Sequence, residues 1–109
     1  MTTFDKREQA YEAKLAHDEE LRFKAIVRRN RHLGLWAAAK LGKSGADAEV
    51  YATDLVAAVV REQGDDAAAF RLIRADFDKA HVAQSDHQIH RHMEELMAAA
   101  LKEVLATGQ

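Results

Sequence analysis

Residues 4–41 read FDKREQAYEAKLAHDEELRFKAIVRRNRHLGLWAAAKL, and this run decides the fold. It contains no proline and one glycine, Gly34, so little in it interrupts a helix. Its two halves differ. In the second half, Phe23, Ile26, Val27, Leu33, Ala37 and Leu41 recur at helical spacing, with Leu35 and Trp36 widening the face. That half is expected to be a core helix, with Trp36 as an anchor. Gly34 costs about 1 kcal/mol relative to alanine inside a helix, so its missing side chain points to a close helix crossing. In the first half the large apolar positions are Phe4, Tyr11 and Leu15 alone, a narrow stripe padded by alanines under a dense coat of charge. Burial at about 2 kcal/mol per large side chain does not offset an ordering cost above about 1 kcal/mol per residue. Residues 1–20 are therefore expected to form a marginal arm, helical or disordered when free, suited to docking in another protein's groove. The plainer alternative is a solvated, frayed terminus.

Beyond this run the chain punctuates itself clearly. Gly42 ends the first helix, with Lys40 and Lys43 near its negative pole. Ser44 or Asp47 then caps a second helix, striped by Tyr51, Leu55 and Val59 with Val56 and Val60 at the flanks, which runs to about Gln63 and stops at Gly64. Asp65 or Asp66 opens a third helix, striped by Phe70, Ile73 and Phe77, which ends near Ala80 or His81. Ser85, Asp86, His87 and Gln88 have the spacing of a capping box and open the last helix. Its face is Ile89, Met93, Leu96, Met97, Ala100, Val104 and Leu105, and Gly108 closes it. The expected fold is all-α: a small four-helix, bundle-like domain at residues 21–109 with a long first helix and an N-terminal arm at 1–20.

Composition agrees. The chain has 109 residues, 22 alanines and no proline, a mixture that favours helix throughout. The absence of cysteine excludes disulfides, a thiol nucleophile and cysteine-based zinc sites. No apolar run approaches the roughly 18 residues of a membrane span, and the mixed-charge N-terminus does not resemble a secretory signal, so a cytoplasmic protein is expected. The net charge of −2 hides a segregation. Residues 1–20 are net acidic. Residues 21–43 carry Arg22, Lys24, Arg28, Arg29, Arg31, Lys40 and Lys43 and no acid, and residues 44–109 are acidic again. A basic helix beside an acidic scaffold points first to internal pairing and secondarily to an anionic partner.

Sites for chemistry are few. Gly42-Lys43-Ser44 lacks the upstream glycine of a phosphate loop, since Ala37 stands there, and it follows a helix rather than a strand. Weak nucleotide binding through the basic helix stays open. His81, His87, His90 and His92 cluster late in the chain, and His87 and His90 share a helical face. They read as a titrating surface cluster rather than a metal site. Glu94 with Glu95 and Asp65 with Asp66 read as solvated or capping residues, not catalytic pairs. The basic stretch lacks interleaved aromatics, which argues against nucleic acid. No enzymatic activity and no cofactor are expected. A small binding module for nucleotide or metal, with a passive N-terminal tail, is the alternative reading.

Several segments carry a resemblance. They are Phe4-Asp5-Lys6-Arg7-Glu8, Glu12-Ala13-Lys14, Ala16-His17-Asp18, Phe23-Lys24, Arg28-Arg29-Asn30 and above all Leu33-Gly34-Leu35-Trp36-Ala37-Ala38. Together they resemble the zeta-type inhibitor subunit of the alphaproteobacterial F-type ATP synthase. Tyr51, the Gly64-Asp65 junction, Phe77 and the Ile89-His90 helix stay in register with it. The resemblance implies a four-helix protein that binds the catalytic head and suppresses ATP hydrolysis. Its N-terminal helix would enter an alpha/beta catalytic interface and reach toward the gamma stalk, at the cytoplasmic face of the inner membrane. Carried onto this chain, Phe4, Tyr11 and Leu15 would form the apolar edge of the contact. Arg7, Glu8, Glu12, Lys14, His17 and Asp18 would make polar contacts, and Lys24, Arg28 and Arg29 would continue the interface.

Overall fold

In a computed structural model, the backbone is described for residues 2–62 and 66–107, with side chains from Asp18 onward within those ranges. Four α-helices follow in order: α1 (Thr2–Lys40), α2 (Gly45–Arg61), α3 (Asp66–Lys79) and α4 (Asp86–Thr107). The second half of α1 packs mainly on α2 and α4, while α3 touches both of those helices. The expected stops at Gly64 and Gly108 and the alternative cap Asp65 lie outside the described residues.

The helix ends follow from local chemistry. Gly42 adopts φ 80°, and two hydrogen bonds wrap the end of α1: Lys43 N–H donates to Ala38 O at 2.8 Å and Gly42 N–H to Ala39 O at 3.1 Å. This is a Schellman closure, and glycine supplies its left-handed residue without a Cβ clash. The end of α3 repeats the pattern with His81 at φ 58°. Val82 N–H donates to Phe77 O at 2.9 Å, and Val82 packs on the core cluster that holds Phe77. The capping box at α4 is present in both directions: Gln88 N–H donates to Ser85 Oγ at 3.1 Å, and Ser85 N–H donates to Gln88 Oε1 at 2.9 Å. Ser44 holds the N-cap position of α2, but its hydroxyl makes no capping hydrogen bond, and Asp47 lies in the first turn rather than at the cap.

One core cluster fills the centre. Leu33 and Ala37 of α1 meet Leu55 and Val59 of α2, Ala69, Ile73 and Phe77 of α3, and Ile89 and Met93 of α4. Half-buried Trp36 lies against Phe77, with centroids 5.6 Å apart, and against His92 at 4.3 Å. A second cluster of Ala25, Ala100 and Val104, with Leu21 and Met97 against it, joins α1 to α4 nearer the arm. Gly34 faces α2 at the tightest point: a Cβ there would sit 2.7 Å from Ala52 Cα. Three residues assigned to apolar faces from spacing are instead largely exposed: Phe23 (61%), Val60 (55%) and Leu105 (66%). They lie at the edges of their stripes, beyond the reach of a neighbouring helix.

Tyr51 bridges α2 and α3. Its hydroxyl donates to Asp76 Oδ2 at 2.7 Å. Burial first, and then the Asp76 hydrogen bond and charge, hold the phenol protonated far above its ordinary value of 10.0. A folded-state pKa raised in this way contributes stability that is complete below pH 10.0 and is lost as pH climbs from there toward the folded value. In an alkaline ultraviolet titration Tyr51 is expected to ionise only as the chain unfolds, and Tyr51→Phe should flatten the fall of stability above that pH. Ionisation of Tyr51 at its ordinary value in folded protein would refute this.

Candidate functional site

The arm is the backbone of α1 before the body begins. Asp18, Glu19 and Glu20 are exposed, Leu21 is half-buried and Ala25 is fully buried, so α1 enters the body over one turn. The backbone from Thr2 onward belongs to the same helix, which at about 1.5 Å per residue spans about 58 Å. Phe4, Arg7, Glu8, Tyr11, Glu12, Lys14, Leu15 and His17 all stand on it, and their side chains lie outside the described residues. By residue number alone, Phe4, Tyr11 and Leu15 fall within a narrow arc of a helix, at about 100° per residue.

The basic stretch that follows is largely spoken for. Three arginines fan out from α1 to three different helices. Arg28 Nη1 donates to Glu103 Oε2 of α4 at 3.1 Å, Arg29 Nη2 to Asp66 Oδ1 of α3 at 2.7 Å, and Arg31 Nη2 to Glu49 Oε2 of α2 at 2.6 Å. Residues one apart on a helix point about 100° apart, so this short run can address three neighbours. Lys24 pairs with Glu20 one turn earlier at 3.3 Å. Glu103 also meets His32 Nε2 at 3.3 Å. The hydrogen bonds from Arg28 and then from His32 hold the Glu103 carboxyl below the ordinary carboxylate range.

Among the residues expected at the interface, Asp18 is exposed, while Lys24 and Arg28 keep partial exposure within their ion pairs. Arg29 is different. It is 1% exposed, and its Nε donates to Oδ1 of buried Asn30 at 2.8 Å. In this arrangement Arg29 offers a partner no side-chain surface and acts as an internal strut. The sequence signal for a strut was weak, because adjacent arginines look alike until the neighbouring helices are placed.

Replacing Arg29 with methionine preserves volume but strips the buried Asn30 oxygen of its donor. That should cost about 1–2 kcal/mol in urea unfolding, the typical penalty for an unsatisfied buried acceptor. Asp66→Asn keeps an oxygen for Arg29 but removes the counter-charge of a guanidinium that is 1% exposed, so it too should destabilise the fold, by at least about 1 kcal/mol. No measurable loss from either substitution would contradict the strut.

The four late histidines have separate surroundings. His90 stacks on Phe70 with centroids 4.2 Å apart, His92 lies on Trp36, His81 shapes the end of α3, and His87 is exposed. Among the described residues no group of three or more histidine or acidic side chains is placed to hold a metal. No described helix is long and apolar enough to cross a membrane.

A comparison with curated proteins finds no match. The family model described as ATPase inhibitor subunit zeta matches residues 1–103, which includes the arm, all of α1 to α3 and most of α4. That family is one of regulatory subunits rather than enzymes, and its name implies binding to an ATP synthase. A match over nearly the whole length, on an all-helical chain with the four helices and the Gly34 crossing its residues called for, places this protein in the ATPase inhibitor subunit zeta family.

Proposed function

We propose that residues 1–20 are the inhibitory element and residues 21–109 the body that anchors it. The arm enters an alpha/beta catalytic interface of the F-type ATP synthase, orders as a helix on binding, reaches toward the gamma stalk and blocks hydrolytic rotation. The protein acts at the cytoplasmic face of the inner membrane through that enzyme. The observation that carries this reading is the continuity of α1. The helix rooted in the core continues along the chain past it with the stripe positions Phe4, Tyr11 and Leu15 in phase, the conformation that binding would hold in place. Coupling folding to binding lowers net affinity but lets one helix fill a cleft that opens at only one stage of rotation.

The test is ATP hydrolysis by the isolated catalytic head of the same source. Leu15→Glu places a charge on the apolar edge. It should raise the concentration needed for half-inhibition by about tenfold or more, the loss expected when a charge enters a desolvated contact. Unchanged inhibition by this variant would remove the arm from the mechanism.

A further inference from the structure

Between α1 and the end of α2 runs an open groove of about 470 Å³, lined by Phe23, Ile26 and Val27 on one side and Val56 and Val60 on the other. Glu19 and Arg22 also line it. Phe23 and Val60 are each more than half exposed, so the groove presents a contiguous apolar surface of the kind that marks an interaction site.

Two further observations say what covers it. The first is helical phase. Phe4, Tyr11 and Leu15 follow the spacing i, i+7, i+11, and Leu15, Arg22 and Ile26 repeat the same spacing into the groove. A helix laid along the arm's stripe therefore runs onward into the groove, past the point where α2 ends at Arg61. The second is charge. From residue 21 to residue 31 the bases are Arg22, Lys24, Arg28, Arg29 and Arg31, and the last four each pair with an acid of this chain. Arg22 makes no ion pair among the described residues and neither does Glu19, and both line the groove, so it offers one free base and one free acid beside its apolar floor.

We infer that the groove is the body's half of one continuous docking face. It receives an amphipathic helix of the ATP synthase, apolar toward Phe23, Ile26, Val56 and Val60, with an acid where it passes Arg22 and a base where it passes Glu19. This rests on the arm reading above, since that reading supplies the partner, the ATP synthase.

The experiment measures binding of full-length protein to the isolated catalytic head, together with inhibition, for Phe23→Glu, Val60→Glu, Arg22→Glu, Leu15→Glu and a control, Lys102→Glu, on exposed α4 surface. Thermal melts verify folding, and the exposure of positions 22, 23 and 60 means that each groove variant should melt like the parent. The groove variants are expected to weaken binding by about tenfold, with the control unchanged, as for charges placed at a buried contact. If one of them unfolds, the other two decide. Binding within about twofold of the parent for all folded groove variants would overturn the inference, and so would an equal loss in the control. If Leu15→Glu alone abolishes inhibition, the arm reading stands and the groove inference fails. If the groove variants weaken binding but Leu15→Glu does not, the continuous face is refuted together with the arm. Sedimentation closes the remaining route: a dimer split by Val60→Glu would make a second copy the occupant and overturn the assignment.

Discussion

Removal of residues 1–20 is expected to abolish inhibition of ATP hydrolysis while leaving the four-helix body folded. The two parts separate because their energetics do. Among the described residues, every member of the two core clusters, including half-buried Leu21, lies at position 21 or later. Among the described side chains, the single ion pair lost is Lys24 with Glu20, an exposed one-turn pair worth about 0.3–0.5 kcal/mol. The truncated chain should therefore melt cooperatively within a few degrees of the parent and keep its helical circular dichroism from position 21 onward. Hydrolysis by the catalytic head should proceed at its uninhibited rate in the presence of the truncated chain. If the groove between α1 and α2 belongs to the same docking face, residual binding without inhibition is the expected accompaniment. Full inhibition by residues 21–109 would place the inhibitory element in the body and refute the arm.

The largest loss of stability should come from Gly34→Val. A Cβ at position 34 would meet Ala52 Cα at 2.7 Å, Ala52 Cβ at 3.1 Å and Leu55 Cδ2 at 3.4 Å. The nearest atom is backbone, so no side chain can rotate aside, and α1 and α2 must move apart. That separation would loosen Leu33, Ala37, Leu55 and Val59, all of which pack in the same cluster. Overpacking of this kind costs about 3 kcal/mol, a large share of the roughly 5–15 kcal/mol that holds a domain together. The melting temperature should fall by more than about 10 °C. Gly34→Ala should lose less, because alanine returns about 1 kcal/mol of helix propensity against the same clash. Adding Ala52→Gly to Gly34→Ala should restore only part of the loss, since it removes the 3.1 Å contact and leaves the one at 2.7 Å. A Gly34→Val protein as stable as the parent would mean that the crossing is looser than described.

Function follows the same division. The body is held by contacts that the chain makes with itself, and its basic stretch is mostly consumed in doing so. Arg28, Arg29 and Arg31 tie α1 to α4, α3 and α2 in turn. Among the described residues, what remains presented outward is Arg22 beside exposed Phe23, with Lys40 and Lys43 exposed at the far end of the stretch. An inhibitor built this way gains from a stiff root: a helix whose base is fixed in a core loses less freedom when its tip is ordered by a partner.

The sequence by itself determined the helices, most of their ends and the family. Helical period, glycine closure and the capping box are local, and each depends on residues within about five positions. Gly42, Ser85 with Gln88, and the stripes of Leu55 with Val59, Ile73 with Phe77, and Ile89 with Met93 were legible for that reason. The close approach at Gly34 was legible too, because a glycine inside a helix has few other uses. The tertiary structure alone decided which stripe edges are covered and which bases are free. Phe23, Val60 and Leu105 share the spacing of core residues but face open space, and Arg29 is buried while Arg22 is not. Coverage depends on where a neighbouring helix starts and stops and how it is rotated, and those quantities are set by packing between residues tens of positions apart. A period of about 3.6 says which residues share a face. It does not say how far along that face a partner reaches.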